Sequence, residues 1–358
     1  MPVTLRSLQV RQVSGAGKKA PTNLRFDPTR RQIVNLSCDC NLPPPIVVGV
    51  ASGGSTLLYS LDDGITWSGA GNSIFDSYAT CAVWNGTLWV AGGLGTLNAA
   101  AYSYDGINWT GVGLITTGPS SNTNFCSSIV WTGQNFVGVS DDVIIKSSNG
   151  INWTGLSGVT MSQRLNKVST NGSRIVALPA PPSLNIMYSD NEGNSWSVTP
   201  DLSGSLTAEG IQEYSDILYD GTKFIITVGP RTNPNNAKFY SSDGLTWTPI
   251  PNVNYSQGIN VGYMNSKSLY ISRGITPDST ERSTNGINWV AISDPVLDVY
   301  PIVSNGRNVI FSTQKYIIIA GSTGNNFIYS KDGLSWTLGT TGLPGKFVAG
   351  FSKSPLPS

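Results

Sequence analysis

Apolar residues in this chain come in short runs, and the turns between them are rich in Gly, Asn, Asp and Ser. Six stretches share one pattern: an apolar segment, a polar turn, then a second apolar run. They lie at residues 83–93, 130–138, 169–177, 218–226 and 263–271, with a last copy whose turn is Thr313-Gln-Lys315. Each predicts a hairpin, and the unbroken apolar run after the turn suits a strand buried on both faces.

A second pattern recurs seven times, once ahead of the first hairpin and once after each of the six: a Ser, then an Asp or Asn, a Gly and a Trp. Its first copy is Ser60, Asp62, Gly64 and Trp67. Later copies carry Asp105 with Trp109, Asn149 with Trp153, Asn191 with Trp196, Asp243 with Trp247, Asn285 with Trp289, and Asp332 with Trp336. Successive tryptophans are 42, 44, 43, 51, 42 and 47 residues apart, the length of one four-stranded propeller blade. Asp-Gly or Asn-Gly between β segments favours a tight turn, because both residues tolerate positive φ and the side chain can bond nearby amides. The Ser hydroxyl can close the same turn, and the Trp can pack between neighbouring sheets. The pattern therefore reads as a fold element.

These repeats resemble the Asp-box, or bacterial neuraminidase repeat, and the Asn-Gly-Ile-Asn-Trp variant is similar to propellers encoded by large DNA viruses. Only Ser60 to Trp67 and Ser189 to Trp196 keep the full Asp-box spacing; the other copies are one residue shorter. The resemblance covers roughly residues 43–351 and implies an all-β, seven-bladed β-propeller of four-stranded antiparallel blades. Spacing places one further strand at 346–351. The first box has a strand at 46–50 after Pro43-Pro-Pro45 but no hairpin of its own, so the C-terminal strand is expected to complete blade 1 and close the ring. Residues 32–38 are the rival for that position.

Charge divides the chain. Residues 1–35 hold seven basic side chains against Asp27, a net +6, which leaves −5 for the remainder. The expected organisation is a basic N-terminal arm at 1–40 and a propeller at 41–358, with arm residues 1–35 docking on a protein partner or assembly. The acidic body argues against nucleic-acid binding outside the arm. No run of apolar residues is long enough to span a bilayer, and Arg6 and Arg11 interrupt any leader-like segment, so a cytoplasmic or virion-associated protein is expected. Six Asn-x-Ser/Thr sequences read as chance in an Asn- and Thr-rich chain.

The chain has no histidine, which excludes Ser-His-Asp, Cys-His and His-ligated metal chemistry. Cys38, Cys40, Cys81 and Cys126 read as reduced thiols with no metal-binding spacing, and no cofactor is expected. The sialidase Phe-Arg-Ile-Pro motif has only Leu24-Arg-Phe-Asp-Pro28 as a counterpart, outside the repeats. The expected function is a non-enzymatic interaction or structural propeller. A carbohydrate-binding propeller, with Tyr214, Tyr255 and Tyr300 as stacking platforms, is the alternative, and a two-carboxylate glycosidase is the remaining catalytic reading. Binding candidates fall on loops expected at the channel mouth opposite the boxes: Asp141, Asp142, Arg164, Glu209, Glu213, Tyr214, Arg231 and Arg273. Glu209 and Glu213 occupy the longest inter-blade insertion, where binding function tends to be added.

Overall fold

Apolar runs of four to eight residues, cut by turns that glycine permits, pair with their neighbours in sequence and build almost nothing but antiparallel β structure. The computed structural model describes residues 24–27, 32–35, 47–71, 73–118, 121–140, 143–156, 163–199, 213–229, 238–250, 260–273, 280–299, 309–320, 327–339 and 345–352. Two compact units divide the chain, Met1–Pro44 and Pro45–Ser358. In the first, Leu24–Asp27 pairs antiparallel with Gln32–Asn35, so the rival inner strand is engaged in a local hairpin.

The second unit contains five four-stranded sheets, at residues 128–155, 165–198, 213–250, 260–291 and 309–338. In each, consecutive strands are neighbours. An eight-stranded sheet holds the rest of the repeats. One half runs Tyr78–Trp84, Trp89–Leu94, Ala100–Ser103, Thr110–Gly111; the other runs Gly345–Ser352, Val47–Gly54, Leu57–Ser60, Ser68–Gly69. A single residue pair, Ser52 with Tyr78, joins the halves, so each half is itself a four-stranded set. Gly345–Ser352 lies antiparallel on Val47–Gly54 from Val47↔Ser352 to Gly54↔Gly345, which brings the two ends of the unit into one sheet.

Apolar side chains collect between consecutive sets. Val48, Val50 and Leu57 meet Ala82, Trp89 and Ala101; Val137, Val139 and Ile144 meet Val168, Ile175 and Ala177; Leu269 and Ile271 meet Ile310, Ile317 and Ile328. Another such cluster joins Val47, Ala51 and Leu58 to Phe311, Ile318 and Phe327, residues from opposite ends of the sequence. The second strand of each set is the most deeply buried, as with Phe136–Ser140 and Ile317–Ala320, every residue of which is buried. This follows from apolar character on both faces of those strands.

The inner hairpin turns reach positive φ at Gly86, Gly133, Gly172 and Gly221. Where the sequence offers Asn265-Ser-Lys267 instead, a single 3-10 turn forms and Ser268 takes the left-handed conformation at φ 47°. One short helix, Pro295–Val299, is also present.

Candidate functional site

The box turns are built alike in all seven copies. The Ser hydroxyl donates to the Asp or Asn side chain and accepts from the box Gly amide; in the second copy these distances are 3.0 and 2.8 Å. The Asp or Asn Oδ1 then accepts from amides further along the turn: Ile107 and Asn108 N–H reach Asp105 at 2.9 and 2.8 Å, while Ile151 and Asn152 N–H reach Asn149 at 3.0 and 2.8 Å. In five copies the Trp indole donates back to the Gly carbonyl, at 2.9 Å for Trp67 and 3.0 Å for Trp153.

The handedness differs from the sequence expectation. Positive φ falls on the box Gly in every copy, not on Asp or Asn, and in the two longer boxes the inserted Asp63 and Glu192 also adopt it, at 64° and 61°. The reason is geometric: a side chain that must accept from amides ahead of it is better aimed from an ordinary right-handed backbone. Those inserted residues each reach the hairpin turn of another repeat. Glu192 Oε2 accepts from Thr132 Oγ1 at 2.5 Å, and Asp63 pairs with Lys315 at 3.1 Å.

These turns also set carboxylate charge. Burial works against ionisation of Asp105, but the Asn108 amide and side chain, the Ile107 amide and the Ser103 hydroxyl outweigh it and hold its carboxyl at about 2. Asp62, Asp243 and Asp332 are lowered by the same kind of donors.

Two polar clusters in the interior were not anticipated from sequence. Lys238 and Glu281, each at most 1% exposed, form an ion pair across the 213–250 and 260–291 sheets, and Lys238 Nζ sits 4.8 Å from the Trp289 ring centre. Arg273, also fully buried, donates from Nη2 to the Leu297 carbonyl at 3.0 Å. Nearby, Asp220 Oδ2 accepts from Tyr270 Oη and from Lys223 Nζ, both at 2.7 Å. Both clusters join the 213–250 and 260–291 sheets through largely buried side chains.

Of the predicted binding residues, Asp141, Asp142, Glu209 and Arg231 lie outside the described residues, as do the platforms Tyr255 and Tyr300. Arg164 is exposed, and Glu213 is half-buried at the start of a strand, opposite Gly229. Tyr214 and Arg273 are corrections. Tyr214 is 2% exposed, its hydroxyl donates to the Leu184 carbonyl at 2.8 Å, and burial pushes its phenol well up, so it offers no stacking platform. Arg273 ends a wholly buried strand and faces inward, so it lines no mouth. Tyr214 follows a long polar, Gly-containing stretch and Arg273 directly precedes Gly274 at the end of its apolar run, so both read as loop residues. Tyr214 bonds and packs against the preceding sheet and Arg273 bonds a carbonyl of the Pro295–Val299 helix, contacts that local pattern does not encode.

Among the described residues, no group of three or more His, Cys, Asp or Glu could hold a metal ion, and no helix is long and apolar enough to cross a membrane. A groove of about 360 Å³ lies on the last sheet, lined by Tyr316, Tyr329, Lys331, Asp332, Ser335 and Thr337. Lys331 Nζ stands 5.4 Å from the Tyr316 ring centre, and Tyr316 meets Tyr329 edge-on at 5.2 Å. Exposed apolar side chains stand on the box turns as well: Leu61, Tyr104 and Leu334, at 46%, 68% and 49%.

No family model and no curated protein sequence matches the chain. Solved structures do. "YCF48 bound to D1 peptide" is 12% identical with a TM-score of 0.54, over 85% of this chain and 88% of that one. YCF48 from Cyanidioschyzon merolae is 13% identical with a TM-score of 0.52, over 73% of this chain and 84% of that one. At this level of identity the likeness is one of architecture: the neighbours are β-propellers, and the fold of this chain is a β-propeller.

Proposed function

We propose that the chain is a seven-bladed, Asp-box β-propeller closed by its C-terminal strand, acting as a non-enzymatic module that binds a protein or peptide partner. Closure is supported by Gly345–Ser352 pairing on Val47–Gly54, by Trp67 meeting Phe311 edge-on at 6.0 Å, and by Gly64 packed against Ile318 of the last repeat. The inner strands also succeed one another around the unit, Val309–Ser312 lying beside both Asn260–Met264 and Gly345–Ser352, and the latter beside Tyr78–Trp84. Such closure removes free sheet edges from the ends of the chain.

The observation that carries the interaction reading is the fold itself, shared with a propeller solved with a bound peptide. It is supported by the box side chains and interior charges, which are engaged in turns and sheet contacts rather than presented to a substrate. The basic segment 1–35 is proposed to dock on an acidic surface of the partner, and exposed Arg164 marks the loop side as a second contact.

Affinity capture after cross-linking, with the full chain and with residues 41–358, tests this. A partner protein recovered by both assigns binding to the propeller; one recovered only by the full chain assigns it to the arm. Recovery of none, together with binding on a glycan array, would replace the reading with the carbohydrate one.

A further inference from the structure

Cys81 lies on the strand Tyr78–Trp84 and Cys126 just before the strand Ser128–Trp131 of the next set, 45 residues apart in sequence, and both are buried. They meet over Gly92. Cys81 is paired in register with Gly92, and the Cys126 amide donates to the Gly93 carbonyl at 3.0 Å. A Cβ placed on Gly92 would stand 2.8 Å from Cys81 Sγ and 3.0 Å from Cys126 Sγ, which bounds the sulfur–sulfur separation at 5.8 Å, the sum of the two. Gly92 thus clears a space into which both thiols point, within the apolar cluster that joins the two sets.

We propose that Cys81 and Cys126 form a redox-active pair that closes to a disulfide and covalently joins the second and third four-stranded sets.

The surroundings divide the labour. Burial pushes the Cys81 thiol up, but the Cys126 thiol, the Thr80 hydroxyl at 3.7 Å, the Gly92 amide and the charge of Lys167 outweigh it and hold it below the ordinary value. For Cys126, burial and the neighbouring Cys81 both push its thiol up. Cys81, 5% exposed against 0% for Cys126, is therefore the attacking sulfur and Cys126 the resolving one. With a peroxide as oxidant, the Cys81 thiolate takes one peroxide oxygen as the O–O bond breaks, giving a sulfenic acid and hydroxide. Hydroxide recovers the proton that Cys81 had released, forming water. Cys126 sulfur then attacks the sulfenic sulfur, the S–O bond breaks, and the departing hydroxyl leaves as a second water with the Cys126 proton. Two thiols and one peroxide become one disulfide and two waters.

The test uses the full chain with Cys38→Ser and Cys40→Ser, so that only this pair can react. It is treated with one equivalent of hydrogen peroxide under native conditions, then denatured, alkylated and mapped by mass spectrometry. The expected result is joint loss of both thiols, a mass lower by about 2 Da, a Cys81–Cys126 cross-linked peptide reversed by dithiothreitol, and a melting temperature higher by several degrees. Two thiols still open to alkylation, or a disulfide-linked dimer, would overturn the proposal. In the Cys126→Ser version of that chain, the single equivalent of peroxide should leave Cys81 as a sulfenic acid that dimedone captures. If it remains a thiol under the same peroxide, Cys81 is not the attacking group and the proposal fails.

Discussion

At the scale of a residue, the box is a device for satisfying backbone amides where the chain turns sharply, and Asp and Asn both serve it because those amides ask only Oδ1 to accept; in Asp62 and Asp105 the second oxygen also accepts, from Thr66 Oγ1 and Asn108 Nδ2. Aspartate adds a charge, and the charge adds pH dependence. Since the folded-state carboxyls are depressed, with Asp105 near 2 against an ordinary 3.8, their contribution is present at neutral pH and is lost as pH falls from about 4 to about 2. Replacing Asp62, Asp105, Asp243 and Asp332 together by Asn should lower the urea midpoint at pH 7 and flatten its fall over that acid range. Asp105→Ala, which leaves turn amides without an acceptor, should cost about 1–2 kcal/mol by the same assay. The box glycine has a second reason to be glycine. Gly244 sits at φ 74°, and a Cβ there would come within 2.7 Å of Val176 Cγ2 in the preceding sheet. Gly244→Ala should destabilise by about 2–4 kcal/mol, combining left-handed strain with overpacking.

At the scale of an element, each four-stranded set is held to the next by a mixed interface, and the Lys238–Glu281 pair is where that interface is least forgiving. A buried charge stripped of its partner is far more costly than a pair replaced as a whole. Glu281→Gln alone should lower stability by about 3–5 kcal/mol, whereas Lys238→Met with Glu281→Leu should be much closer to the parent in a denaturant melt. The box Trp belongs to the same interfaces: Trp153 packs in the cluster of Leu88, Val90 and Phe136, so each box secures its own turn and the seam with the set before it.

At the scale of the whole molecule, the decisive contact is between the ends of the second unit. The strand Gly345–Ser352 supplies the first set with the partner that residues 47–69 lack. Removing residues 345–358 should expose the long edge of Val47–Gly54, so unfolding should lose its single cooperative transition. A melting curve of unchanged midpoint and steepness would contradict this.

Much of this architecture was legible beforehand because the box and the hairpin are local: Ser60, Asp62 and Gly64 bond within a few residues, and the apolar run at 317–320 announces its own burial. The binding residues were less legible. Tyr214 and Arg273 resemble loop residues until a neighbouring sheet or the Pro295–Val299 helix supplies the carbonyl each one bonds. Lys238 and Glu281, 43 residues apart, carry no mark in the sequence that they are a pair, and neither do Cys81 and Cys126. By itself the sequence determined the repeat, its turn chemistry and the strand order within each set, since these rest on contacts between near neighbours. Only the tertiary structure decided which charges are buried, which thiols meet and what the end strands pair with, since those depend on the angle and distance at which one set packs on the next.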